Sequence, residues 1–211
     1  MKLSKKCERS NEEGGTLKEV SHVVQFSTKN KNKYNEAARV AAAHGIELMH
    51  LSLEKYEIQA DDLAMIATVA AEQALRESRG SMVVAEDAGF FVDALNGFPG
   101  PYSSYAYRKL GIDGILKLLQ KVDKRGAYFA SAVACCNQGQ TFCFEGTVKG
   151  NVSIKPRGKQ GFGFDPIFIP DQGEGRTFAE MDIDEKNRYS HRALAFSKFC
   201  EWAKSNLWTN D

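Results

Sequence analysis

From His22 onward, short apolar runs alternate with longer amphipathic stretches. His22-Val23-Val24-Gln25-Phe26-Ser27 reads as a buried strand, and a polar turn leads from it directly into a helix. In that helix Tyr34, Ala37, Ala38, Ala41 and Ala42 recur at three-to-four spacing. Gly45, free to take a positive φ, ends it. Ile46 to Leu51 predicts a second short strand. Asp61 and Asp62 open an Ala-rich helix through Ser78, with the acidic start that a helix dipole favours. Met82-Val83-Val84-Ala85 predicts a third buried strand. Strand–helix–strand–helix–strand order predicts an α/β core with some parallel pairing.

The second half has a different pattern. Ala127 to Cys136 alternates aromatic or aliphatic with small residues, and Thr141 to Val152 repeats the alternation beyond Asn137-Gln138-Gly139-Gln140. This is a hairpin pattern, so the sheet is expected to be mixed. Gly111 to Lys121 predicts a short amphipathic helix between the halves. A last long helix is expected from about Ser190 to Leu207, with Leu194, Phe196, Phe199, Trp202 and Ala203 as its apolar face. Residues 1–20 are polar, carry Gly14-Gly15 and lack an apolar stretch, which predicts a flexible leader ahead of one domain over 21–211.

Composition narrows the function. The 28 Lys+Arg against 27 Asp+Glu leave a formal charge of +1 over 211 residues, without the basic excess expected of a generic polyanion binder. A small-molecule site is still open if positive charge is concentrated locally. Hydrophobic residues at 43% suit a globular fold, and no apolar run has transmembrane length. Cys135 and Cys136 are adjacent while Cys7, Cys143 and Cys200 stand alone, so no zinc pattern or disulfide scaffold emerges. Free thiols predict a reducing, cytoplasmic setting.

Four polar clusters interrupt the apolar pattern. Ser27-Thr28-Lys29-Asn30-Lys31-Asn32-Lys33 joins the first strand to the first helix. A helix start with capping residues and three lysines makes an anion-binding corner, although alone it reads first as a solvated turn. Glu86-Asp87-Ala88-Gly89 follows the third strand and places two carboxylates where ligands dock on open α/β sheets. They would suit magnesium, which takes one or two carboxylates with phosphate oxygens and water. Glu57 is a third carboxylate, uninformative by itself. Gly161-Phe162-Gly163-Phe164-Asp165-Pro166 is a turn whose rings could be exposed to stack on a heterocycle or packed inward. Lys186-Asn187-Arg188-Tyr189-Ser190-His191-Arg192 puts cations at the mouth of the last helix, against its dipole, so an anion or polar partner is expected there. The other histidines, His22, His44 and His50, read as surface or element-end residues.

In this order, these clusters resemble those of the inosine triphosphate pyrophosphatase family, in the style of its shorter archaeal members. The likeness extends from about His22 to Leu207 and includes Leu95-Asn96-Gly97-Phe98-Pro99-Gly100-Pro101-Tyr102 and Thr177-Phe178-Ala179-Glu180-Met181. The resemblance implies an elongated α/β fold, a mixed sheet with flanking helices and two lobes around a cleft, usually as a homodimer. It implies hydrolysis of ITP, dITP or XTP to the monophosphate and pyrophosphate by a magnesium-activated water. Thr28, Asn30 and Lys33 match its phosphate corner. Glu57 and Asp87 match its metal carboxylates, with Asp87 also a proton acceptor and Glu86 beside it. Ala88 stands where Ser or Thr contacts substrate. Phe162, Gly163, Phe164 and Asp165 match its base-binding turn, and Lys186, His191 and Arg192 its remaining nucleotide contacts.

Lys29, Asn32 and Tyr56 also depart from the family pattern. No carboxylate is lost, so an active enzyme is expected. A nucleotide-binding protein with weak turnover, motivated by Ala88, is the alternative. A nucleic-acid-binding module, drawing only on the lysine-rich corner and aromatics, is the third reading. No membrane association is expected.

Overall fold

A computed structural model describes residues 22–54, 58–78 and 80–208. The expected leader and Glu57 lie outside the described residues. The chain forms one mixed seven-stranded sheet, ordered β2-β1-β3-β5-β6-β7 with β4 paired to β3. Strand β1 is His22–Ser27, β2 is Ile46–Leu51 and β3 is Met82–Val92. Helix α1, Lys31–Ala43, and helix α2, Leu63–Glu77, supply the two crossovers. Both helix starts are capped as their sequences predict, by the side chains of Asn30 and Asp62. Strand β1 runs parallel to β2 and β3, whereas β3 is antiparallel to β5, Gly126–Asn137. The hairpin into β6, Gln140–Val152, turns at Gln138 and Gly139, both at positive φ.

Period-two alternation in the central strands separates the core into faces. Val84 and Val133 join Phe26, Val40, Phe196 and Phe199 in a core roofed by α1 and by helix α5, His191–Asn206. Ala85 and Ala132 point the other way, into an Ala-rich core under α2. A third cluster, with Phe90, Phe129, Phe164, Phe168 and Phe178, gathers beyond the parallel half. It includes β7, Phe168–Pro170, and packs against helix α3, Ser103–Leu118. Helix α4, Ile183–Asn187, is a short element ahead of α5.

Four expectations change. Glu86-Asp87-Ala88-Gly89 does not follow the third strand but lies inside it, because β5 pairs with β3 along its whole length, from Met82↔Asn137 to Val92↔Ala127. Helix α3 begins at Ser103, well before Gly111, which breaks it with a φ of 65°. Its first turns expose Tyr105, Tyr107 and Leu110, so they carry no amphipathic signature. Ala42 on α1 is exposed, and Glu36 is buried on that helix instead. Leu194 on α5 is 38% exposed, while His191 and Arg192 are buried.

Candidate active site

The site begins at a gap in the sheet. Strand β1 stops at Ser27, opposite Ala85, and β4, Pro99–Gly100, takes up the same edge of β3 only at Phe90. Between them, Glu86 to Gly89 have no strand neighbour on that side among the described residues. A cavity of about 480 Å3 opens there, within the range of small-molecule sites. Thr28, Asn30 and Lys33 line it from the α1 corner, with Glu86, Asp87 and Ala88 from β3. Phe162, Gly163, Phe164, Asp165, Lys186, His191 and Arg192 close the other side. The structure thus brings together every predicted site residue that it describes.

The corner is internally bonded. Thr28 Oγ1 accepts the Asn30 N–H at 3.1 Å, and Asn30 Oδ1 accepts those of Asn32 and Lys33 at 2.9 and 3.3 Å. The lysine side chains, more than these occupied backbone donors, therefore provide the corner's positive charge.

Behind the corner runs an alternating chain of charges: Lys33, Glu86, Arg192, Glu36, Lys186 and Asp165. Lys33 Nζ is 2.8 Å from Glu86 Oε2, and Arg192 Nε donates to Glu86 Oε1 at 3.1 Å. Arg192 Nη1 also donates to Glu36 Oε2. Lys186 Nζ reaches Glu36 Oε1 at 2.8 Å and Asp165 Oδ2 at 2.7 Å. Ser131 Oγ donates to Glu86 Oε1 at 2.7 Å. All but Lys33 in the ionic chain are essentially buried. Burial alone would raise the Glu86 carboxyl, but Arg192 and then Lys33 outweigh it and hold it well below the usual carboxylate range. Glu36 is likewise held down against burial by Lys186 and Arg192. Asp165 is paired with Lys186, but burial, helped by the nearby Glu36 carboxylate, outweighs that cation and its carboxyl lies above the ordinary value.

This chain supplies the anion that the cationic start of α5 requires. It also includes Glu86, the chain neighbour of Asp87. Strand alternation sends them to opposite faces, and Glu86 is committed to Lys33, Arg192 and Ser131. Glu36 and Ser131 were missed. A Glu among the alanines of an amphipathic helix face was the available signal for Glu36; nothing local marked Ser131.

The aromatic turn is half outward and half inward. Phe164 is 2% exposed and packs between Phe90 and Tyr107, so its ring belongs to the core and is not an exposed stacking platform. Phe162 is half-buried, with Lys186 Nζ 5.1 Å from its ring centre. Asp165 Oδ2 accepts the Phe162 N–H at 2.8 Å and closes the turn. Gly161 has a φ of 70°, and a Cβ there would lie 2.1 Å from Asp165 Oδ2. His191 stacks on Phe129 with centroids 4.7 Å apart, and its buried Nδ1 has no hydrogen-bond partner among the described residues. Burial, then Arg192 and Lys186, push its pKa well below the ordinary imidazole value, so the ring is neutral.

Among the described residues no group of three or more His, Cys, Asp or Glu side chains could hold a metal ion by itself. Half-buried Asp87 at the cavity wall fits a metal completed by substrate oxygens and water, as magnesium is commonly bound.

A sequence model of the Ham1 family matches residues 24–202. The chain belongs to the Ham1 family. A dITP/XTP pyrophosphatase of Methanopyrus kandleri is 46% identical over 185 residues, covering 87% of this chain and 97% of that one. Another, from Saccharolobus solfataricus, is 50% identical over 178 residues, covering 84% and 92%. Among solved structures, a Ham1 protein from Coxiella burnetii superposes with a TM-score of 0.75 at 28% identity, covering 87% of this chain and 99% of that one. These Ham1 relatives agree with the mixed sheet and flanking helices described above.

Proposed function

We propose that the chain hydrolyses non-standard purine nucleoside triphosphates, such as dITP, ITP and XTP, to the monophosphate and pyrophosphate. The observation that carries this reading is one cavity with a lysine-rich corner at one end and a neutral buried imidazole beside an aromatic turn at the other. Curated relatives with 92–97% of their length covered bear the name dITP/XTP pyrophosphatase. Lys33 and Lys29 would counter the charge of the leaving pyrophosphate. His191 Nδ1 and the N–H groups of Arg192 would face the 6-oxo edge of the purine. Adenine carries an amino group there, and a donor meeting a donor inside the site leaves both unpaired, which discriminates against ATP.

Asp87, with Glu57, would hold a magnesium ion. When bound, that ion would neutralise phosphate oxygens and lower the pKa of bound water. Asp87 would also accept the proton of the attacking water. Phe162 and Gly163 would cover the base, while Asp165, Lys186 and Arg192 would hold the surrounding surface in place. Ala88 would contribute wall without a hydroxyl. The parallel-sheet core and the aromatic core on either side of the cavity would serve as the two lobes of a single domain.

The chain would work as a homodimer in the cytoplasm. Phe98, Tyr102, Tyr105 and Leu110 form exposed apolar surface near β4 and α3, and the four described cysteines are free thiols. Among the described residues no helix is long and apolar enough to cross a membrane. Incubating the protein with magnesium and ITP, then identifying the products, tests the reaction. IMP and pyrophosphate support it; IDP and orthophosphate overturn it.

A further inference from the structure

His50 on β2 approaches the phosphate corner from behind. Its Nε2 lies 2.6 Å from the carbonyl oxygen of Thr28, the residue at which β1 gives way to the corner. A carbonyl only accepts, so Nε2 carries the hydrogen, and this donor persists whether the ring is neutral or protonated. Thr28 is held twice more: its N–H donates to Leu51 O at 3.1 Å, and its hydroxyl accepts the Asn30 N–H at 3.1 Å. Of these partners, His50 alone is a side chain from outside the corner.

The same imidazole packs on Tyr34, with centroids 4.7 Å apart and planes at 34°. The Tyr34 hydroxyl donates to Leu48 O at 2.8 Å. Thr28 opens the corner and Tyr34 follows it, so one histidine contacts the corner's first residue and the residue just after its last. With its carbonyl held towards β2, Thr28 also accepts the Asn30 N–H, and the Asn30 side chain in turn caps the turn that carries Lys33.

We propose that His50 is a positioning residue for the pyrophosphate end of the substrate, acting through the Thr28 carbonyl. The inference rests on the reading of Thr28 to Lys33 as the phosphate corner. Without this donor, the carbonyl of half-buried Thr28 must find water, and the corner loses its anchor to β2.

The test compares inhibition of ITP hydrolysis by pyrophosphate and by IMP. His50→Phe keeps a ring against Tyr34 but removes the donor; His50→Gln keeps a side-chain N–H. In His50→Phe, pyrophosphate inhibition is expected to weaken about tenfold and the KM for ITP to rise similarly, with kcat and IMP inhibition within about threefold. His50→Gln is expected to recover most of the pyrophosphate affinity. If the Phe side chain prevents folding, His50→Ala removes the donor without added bulk and must show the same split. Unchanged pyrophosphate inhibition, or equal weakening by both inhibitors, overturns the proposal. Lys33→Met separates the two readings. If it weakens pyrophosphate binding while His50→Phe does not, only the role of His50 fails. If neither does, the phosphate corner itself is misassigned.

Discussion

Lys33 and Glu86 meet 2.8 Å apart at the outer end of the buried charge chain, the lysine side chain 18% exposed and the glutamate fully buried. The pair shows how a cavity can present positive charge to a ligand while the carboxylate that fixes it stays out of reach. Glu86 has Arg192 as its second cation, so Lys33 can turn partly towards a phosphate without leaving that carboxylate unpaired. Lys33→Met is expected to lower kcat/KM for ITP by about 10- to 100-fold, the range of a hydrogen bond to a charged group. Steady-state kinetics on the folded variant checks this.

Asp87 follows Glu86 in β3, and strand alternation puts its side chain on the opposite face. Asp87→Asn is expected to leave the melting temperature nearly unchanged while kcat falls by at least about 100-fold, as loss of a metal-holding or proton-accepting carboxylate requires. Parallel thermal melts and initial rates check the separation. Full retained activity removes Asp87 from the site.

Glu36 bridges Lys186 and Arg192 from one helical turn beyond the corner. Glu36→Leu would leave both cations short of a buried carboxylate, and a cost of about 3–5 kcal/mol is expected. Urea denaturation measures it. A cost below about 1 kcal/mol would mean that the network relaxes freely to water.

Acid should destabilise the fold in two stages. The His191 ring is neutral when folded, whereas unfolded imidazole binds a proton below about pH 6.5, so stability falls as pH drops through that value. Glu86 and Glu36 have lowered folded pKa values, so their contribution is present above the unfolded value, about 4.3, and is lost as pH falls towards the folded ones. Asp165, with a raised value, acts in the opposite sense just above about pH 3.9. Melting temperature is therefore expected to decline gently below about pH 6.5 and steeply below about 4.3. Glu36→Gln should flatten the steep branch.

Ser190 is buried and accepts the Ala193 N–H at 3.2 Å, capping the helix that begins with His191 and Arg192. Ser190→Ala is expected to cost about 1 kcal/mol, with a rise in KM as the start of α5 frays. Denaturant titration and steady-state kinetics on the same preparation check both effects.

Much of this was determined by sequence alone. The strand at Ile46–Leu51, the helix opened by Asp62, the Gln138-Gly139 hairpin and the Ser190 cap all rest on local rules: periodicity, turn chemistry and capping act within a few residues. The residues that line the cavity were also legible, because polar clusters that break an apolar pattern stand out wherever they fall. What each polar residue does was decided by tertiary structure. Glu86 and Asp87 are neighbours in the chain, yet pleating separates their faces and antiparallel β5 carries the strand through them. Lys186 and Arg192 looked like cations awaiting an anion, and the fold provides it from Glu36, 150 and 156 residues away. His50, unremarkable as the end of a strand, lies beside Thr28 only because β1 and β2 run parallel in register. Burial sets the strength and sign of an ionic interaction, and burial depends on chain segments far apart in sequence. The near-equal count of 28 and 27 charges therefore contained no trace of the six-membered ladder at its centre.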